Sequence, residues 1–297
     1  MLKVAFIGCV QFSYELLKTI LDLPHVQVTA VVTKKQSPFN ADFVSLAPLA
    51  EQYGIPCLNL EAKEKRDIAQ WLNRYTFDTI FCFGWSHLLP KTVLDMPKYG
   101  VIGYHPAALP RNRGRHPIIW ALALGLEETA STFFVMDEGA DSGDIIDQRR
   151  VVIDGEDNAA TLYRKLLETA KEQVKSFSLD MQSGVLKRIP QDHSQANYWR
   201  KRSKRDGQID WRMTAVTIHN LVRALHPPYP GAHCLFEDQE IKIWETRVED
   251  DLPSTRHFEP GKILKVENGE IIVKCGQGCL RIVRHQFDPL PKEGSYL

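Results

Sequence analysis

The densest chemical signal in the chain is the run His105-Pro106-Ala107-Ala108-Leu109-Pro110-Arg111-Asn112-Arg113-Gly114-Arg115-His116-Pro117. A second polar cluster follows, Asp137-Glu138-Gly139-Ala140-Asp141-Ser142-Gly143-Asp144, and places Asp141 36 residues after His105. An imidazole accepts a proton near neutral pH because its ordinary pKa is about 6.5. A carboxylate beside it fixes the tautomer and stabilises the imidazolium. Amine acylation uses these parts. The amine attacks a carbonyl and gives its proton to the base, and a donor meets the developing oxyanion, a contribution of about 3–4 kcal/mol.

His105 must sit at the end of a strand for this to work, and the first half of the chain supplies the strands. Lys3–Gly8 is a short apolar run, followed by helical spacing through Tyr14, Leu16, Leu17, Ile20 and Leu21. Val26–Thr33 is β-branched, Phe43–Tyr53 and Ile68–Tyr75 have helical spacing, and Thr79–Gly84 and Gly100–His105 read as buried strands. This alternation predicts an α/β fold, a Rossmann-like and mostly parallel sheet with helices on both faces. Ligands of such sheets bind at the carboxyl ends of the strands, where His105 falls. Gly8 alone does not make the G-x-G-x-x-G fingerprint, so a dehydrogenase is set aside.

The rhythm changes after residue 128. Ser131–Met136 and Ile145–Val152 read as strands joined by the Asp137–Asp144 turn, and a long helix starts near Asp157 or Asn158 and passes Phe177. A helix over Ala215–Leu225 precedes five short strands, which predict a small OB-like barrel. The expected division is a Rossmann-like domain over 1–190, a connection over 191–206 and a second, OB-like domain over 207–297.

Composition narrows the class. With 37 basic and 37 acidic side chains the net charge is zero, which argues against a nucleic-acid partner. The basic cluster Arg200, Lys201, Arg202, Lys204 and Arg205 reads as a solvated connector. No apolar run has the length of a membrane helix, and the six scattered cysteines fit a reduced, cytoplasmic protein. Cys275 and Cys279 flank a Gly-Gln-Gly turn and read as a β-hairpin, with no metal site expected.

Three segments carry a resemblance to the formyltransferase family: His105-Pro-Ala-Ala-Leu-Pro-Arg-Asn-Arg-Gly, Pro117-Ile-Ile-Trp-Ala, and Met136-Asp-Glu-Gly-Ala-Asp141-Ser-Gly-Asp-Ile145. The second half is similar to the branch acting on a nucleotide-linked 4-amino sugar, through Asp206-Gly-Gln-Ile-Asp210-Trp, Ile218-His-Asn-Leu-Val-Arg-Ala-Leu225 and Pro228-Tyr-Pro-Gly-Ala232. The resemblance implies transfer of a formyl group from N10-formyltetrahydrofolate, with His105 as general base and Asp141 as its partner. It also implies a pterin slot built from Phe83, Gly84, Trp85, Ser86, His87, Leu88 and Leu89 with Gly139, Ala140 and Asp144, although plain core is the alternative for Phe83, Leu88 and Leu89. Gly103, Tyr104, Pro106, Arg113, Gly114 and Arg115 are the residues expected to meet the acceptor. The two arginines either hold the loop or bind carboxylate or phosphate.

One departure stands out. The family signature Asn-x-His becomes Gly103-Tyr104-His105, and glycine has no side-chain donor for the oxyanion. Another donor takes over, the enzyme is slower by about 10²–10³-fold, or only binding survives. The implied partners are small molecules, folate and a nucleotide-linked amino sugar, with no membrane partner; oligomeric state, a homodimer included, stays open. Methionyl-tRNA is the second acceptor, and a formyl-folate hydrolase or a non-catalytic folate-binding protein is the alternative from another class.

Overall fold

The computed structural model describes residues 1–37, 40–61, 68–249 and 255–297. In chain order the elements are β1 (Leu2–Ile7), α1 (Gln11–Leu21), β2 (Val26–Lys34), α2 (Ala47–Gln52), β3 (Cys57–Leu60), α3 (Ile68–Leu72), β4 (Thr79–Cys82), α4 (Lys91–Leu94), β5 (Val101–His105), β6 (Arg113–Gly114), α5 (Pro117–Ala123), β7 (Glu128–Val135), β8 (Ile145–Val152) and α6 (Ala159–Gln182). There follow β9 (Tyr198–Trp199), α7 (Ala215–Ala224), β10 (Ala232–Phe236), β11 (Gln239–Glu249), β12 (Ile263–Glu267), β13 (Glu270–Lys274) and β14 (Cys279–His285). They divide into two compact units, one of residues 1–117, 129–151 and 164–199, the other of residues 118–128, 152–163 and 200–297. Residues 191–199, expected as a connection, belong to the first unit.

The first unit is built on a seven-stranded sheet in the order β3-β2-β1-β4-β5-β7-β8. The strands from β3 to β5 are mutually parallel, and β7 runs antiparallel to β5. Alternation along β1 and β4 sends Ala5, Ile7, Ile80 and Cys82 to one buried layer with Val32, Leu58 and Leu72. Phe6, Phe81, Phe83, Phe133 and Phe177 form a ring-on-ring layer of their own, with centroids 4.9–5.7 Å apart. Helix α6 begins where Asn158 caps it: its Oδ1 accepts from the amides of Ala160 and Thr161.

The second unit carries a five-stranded antiparallel sheet, β10-β11-β14-β13-β12, with α7 packed on β11. Ile218 and Val222 of α7 and Ile243, Val273, Leu280 and Ile282 of the strands are its buried centre. Cys275 directly follows β13 and Cys279 opens β14, so the two flank a hairpin turn as expected, and both are free thiols. Among the described residues no helix is long and apolar enough to cross a membrane.

The basic cluster is largely exposed, at Arg200, Lys201, Lys204 and Arg205, and part of it is also anchored. Arg200 and Arg202 lie 5.3 and 4.6 Å from the ring of Trp120, whose indole N–H donates to the Arg200 carbonyl at 3.0 Å. Arg200 also pairs with Asp206, and Lys204 with Glu240 at 2.5 Å. Trp120 is half-buried beneath these cations.

Candidate active site

His105 is the last residue of β5, at the carboxyl end of the parallel strands, opposite Thr132 of β7. It is 4 % exposed. Its Nε2 lies 2.7 Å from the backbone carbonyl of Asn112, a group that only accepts, so Nε2 carries the proton of the neutral ring. Nδ1 then holds the lone pair, and it faces Oδ2 of Asp141 at 3.6 Å. The carbonyl therefore fixes the tautomer, where the sequence reading gave that task to the carboxylate. An imidazolium formed by protonation of Nδ1 would stand 3.6 Å from the Asp141 carboxylate.

Asp141 is held from three sides. Its backbone is in the left-handed region at φ 56°, within a turn where Asp137 Oδ1 accepts from the Gly139 amide and the Ser142 hydroxyl. A side chain at Gly143 would put Cβ 1.8 Å from the Val135 carbonyl, so the turn closes only on glycine. Oδ2 accepts the Gly114 N–H at 2.9 Å. Gly114 can deliver that N–H because it has φ +104° and lies where a Cβ would come 2.4 Å from the Trp199 carbonyl.

The loop that carries Asn112 and Gly114 is tied down by the segment 191–199, a function missed from the sequence. Two-residue strand β6 pairs in parallel with β9, through Arg113 N–H to Asn197 O and Arg115 N–H to Trp199 O, both 3.0 Å. The Asn112 amide donates to Asn197 Oδ1, and Asn197 Nδ2 donates back to Asn112 Oδ1. Arg113 is 2 % exposed and among the described residues meets no carboxylate: it donates to Gln191 Oε1, Tyr198 Oη and His193 Nδ1. Gln191 Nε2 in turn donates to the carbonyls of Asp141 and Gly143 at 3.0 and 2.6 Å. Arg113 is thus a strut between the loop that carries Asn112 and the loop that carries Asp141, the loop-holding alternative of its two readings in place of a contact with the acceptor. Nothing in the periodicity of this polar stretch marks Gln191.

Gly103 explains itself by packing. It pairs with Phe134, and a Cβ there would sit 2.8 Å from Met136 Cγ and 3.0 Å from Phe134 Cζ. The room an asparagine side chain needs is filled. Asn112 is the amide next to the base, and its Nδ2 has no hydrogen-bond partner among the described residues.

The other expected site residues fall into two groups. Phe83 is fully buried, its N–H bonded to Ile7 O and its carbonyl to the Ser13 hydroxyl, so it is core and not slot. Tyr104 points away from His105 as strand alternation requires, stacked on Phe12 at 4.2 Å and beside Phe133, and it too is corrected to a packing residue. The Pro106 carbonyl is taken by Thr129 Oγ1, and Leu89 is buried. Gly84 (φ +66°) accepts from the Cys9 thiol, Ser86 and Asn40 are joined by a 2.9 Å hydrogen bond, and Arg115 Nη1 donates to the Ser86 carbonyl at 3.3 Å. Trp85 is half-buried under Lys34, and His87, Leu88, Gly139 and Ala140 are exposed. The Asp144 carbonyl accepts from Val135 N–H and anchors the turn.

Comparison with known proteins follows the same lines. The formyl transferase model matches residues 2–176 and the model of the formyl transferase C-terminal domain matches residues 201–291. The chain is 32 % identical over 301 residues to the methionyl-tRNA formyltransferase of Caldanaerobacter subterraneus subsp. tengcongensis, covering 99 % of this chain and 94 % of that one. In fold it is similar to the N-formyltransferase from Helicobacter canadensis solved with folinic acid and dTDP-3-aminofucose, with TM-score 0.73, 18 % identity and coverage of 96 % and 100 %. It is also similar to HypX from Aquifex aeolicus solved with tetrahydrofolic acid, with TM-score 0.65, 18 % identity and coverage of 95 % of this chain and 43 % of that one. Matched over both halves, this chain belongs to the formyl transferase family.

Proposed function

We propose that the protein moves a formyl group from N10-formyltetrahydrofolate to the primary amine of a nucleotide-linked amino sugar. The observation that carries the reading is the orientation of one ring: His105 has Nε2 committed to a carbonyl and Nδ1 facing a carboxylate. The amine nitrogen attacks the formyl carbon and becomes positive, and its proton passes to Nδ1. Asp141 then stands beside a new imidazolium. The nitrogen–carbon bond to the folate breaks, and its electron pair stays on the folate nitrogen, which takes the proton. Asn112 Nδ2 supplies the donor for the tetrahedral oxyanion that Gly103 lacks.

The acceptor reading draws on charge. With 37 basic and 37 acidic side chains the chain has no net positive charge to draw it to the phosphates of a transfer RNA, and Arg200 and Lys204 already face Asp206 and Glu240. A second reading, methionyl-tRNA as acceptor, is favoured by the 32 % identity to an enzyme of that name. Both are tested together by supplying formyl-folate with charged initiator transfer RNA or with a panel of UDP- and dTDP-linked amino sugars. Turnover with a sugar nucleotide and none with the transfer RNA supports the first reading, and the reverse pattern replaces it. In either assay His105→Ala and Asp141→Ala must each remove transfer from a folded protein; near-normal turnover would end the mechanism.

A further inference from the structure

Lys34 ends β2, where β1 and β4 also terminate. The residue is 6 % exposed, yet among the described residues its ammonium makes no hydrogen bond and no ion pair. Its one marked contact is the Trp85 ring, 4.7 Å to the centroid. The next residue shows the ordinary arrangement: Lys35 is half-exposed and 2.6 Å from Glu61. An ammonium that gives up its water recovers only a fraction of that loss from an indole face, so a buried lysine is normally paired.

Arg115 and His87 lie in its neighbourhood. Arg115 reaches the Ser86 carbonyl from the loop after β5, and burial together with Lys34 and Arg115 holds the His87 imidazole below its ordinary value. Ser86 and Asn40 are hydrogen-bonded, and Asn40 Nδ2 reaches the Cys9 sulfur at 3.6 Å. Burial pushes the Cys9 thiol up to about 11, so no thiolate stands near Lys34 as its counter-ion. The fields of both Lys34 and Asp42 reach the Cys9 thiol. Two cations and a titratable ring thus lie about a neutral hydrogen-bonding pair, and among the described residues the lysine makes no ion pair.

We propose that Lys34, with Arg115 and the Asn40–Ser86 pair, is an oxyanion-binding site that takes a phosphate or carboxylate of one of the two substrates. The site rests on the formyl-transfer reading only for the identity of those substrates: the diphosphate of the acceptor or the glutamate of the folate. Trp85 then serves as the floor under the ammonium and not as a pterin contact.

The test is direct binding by calorimetry, with no turnover required. UDP, dTDP and inorganic diphosphate probe the phosphate source; mono- and triglutamyl 5-formyltetrahydrofolate probe the carboxylate source. Lys34→Met is expected to raise the Kd of one set at least tenfold and to leave the other within twofold. Arg115→Met, at an exposed position, should weaken the same set three- to tenfold, and it carries the test if Lys34→Met does not fold. Unchanged affinity for both sets in a folded Lys34→Met protein, or in Arg115→Met where that variant stands alone, overturns the site. Binding that depends on Lys34 without any formyl transfer keeps the site and removes the enzymatic reading. Transfer that persists with unaltered KM and Kd in Lys34→Met does the opposite.

Discussion

Gly114→Ala tests whether the site depends on one backbone N–H. The position combines φ +104° with a Cβ that would fall 2.4 Å from the Trp199 carbonyl and 3.2 Å from its nitrogen. Holding an L-residue in that region costs about 1–3 kcal/mol. Relieving the overlap must part β6 from β9, which share two backbone hydrogen bonds, at roughly 1 kcal/mol each. A destabilisation of about 3–5 kcal/mol follows, less whatever the loop recovers by relaxing. The Gly114 N–H withdraws from Asp141 at the same time, and loss of such an orienting hydrogen bond lowers activity by about 10–100-fold. Urea unfolding and single-turnover formation of tetrahydrofolate measure the two effects separately. Gly155→Ala is the control, since nothing lies within 4 Å of its Cβ, and it should be neutral or stabilise by up to about 1 kcal/mol. Wild-type turnover in a folded Gly114→Ala protein would show that Asp141 needs no such support, and the reasoning would fail.

Three further outcomes are expected. Gly103→Asn should destabilise by about 1–3 kcal/mol through overpacking on Met136, and pairing it with Met136→Ala should recover much of that loss; equal melts for the single and double variants would refute the packing account. Asn112→Gly keeps the φ of 63° and removes the amide, so kcat should fall by about 10²–10³-fold, and an unchanged kcat assigns the oxyanion donor elsewhere. Burial and the nearby Arg223 hold the His219 imidazole below its ordinary value, so the unfolded chain binds more protons than the folded one below about pH 6.5. Stability contributed by the neutral ring is present above that pH and is lost on acidification toward the folded value. His219→Gln should flatten the fall in melting temperature between pH 7.5 and 5.5, and an unaltered slope would exclude His219 as its source.

The parallel strands, the His105 position and the Asp137–Asp144 turn were legible because each has a local cause: β-branched runs, a glycine-punctuated polar turn, helical spacing between. The face on which a β5 residue lies was not. Val101-Ile102-Gly103-Tyr104-His105 is buried on both sides, so no polar alternation says that Tyr104 packs inward while His105 meets the loop. Phe83 was ambiguous for the same reason. Gln191, Asn197 and Tyr198 were invisible because a two-residue strand carries no period, and their value lies wholly in partners about 50–85 residues away. Arg113 had two readings in sequence, and only its neutral, buried partners decide between them.

The tie between β6 and β9 has a consequence for anyone recombining this chain with a relative. A crossover placed at residue 190 would import a foreign Gln191–Trp199 stretch and strip the native loop of its clasp, even though neither His105 nor Asp141 had been altered. A junction moved ten residues later carries the clasp along with the fragment it serves. Hybrids cut at 200 should therefore keep the base and its carboxylate in register, and hybrids cut at 190 should inherit both residues yet hold them loosely.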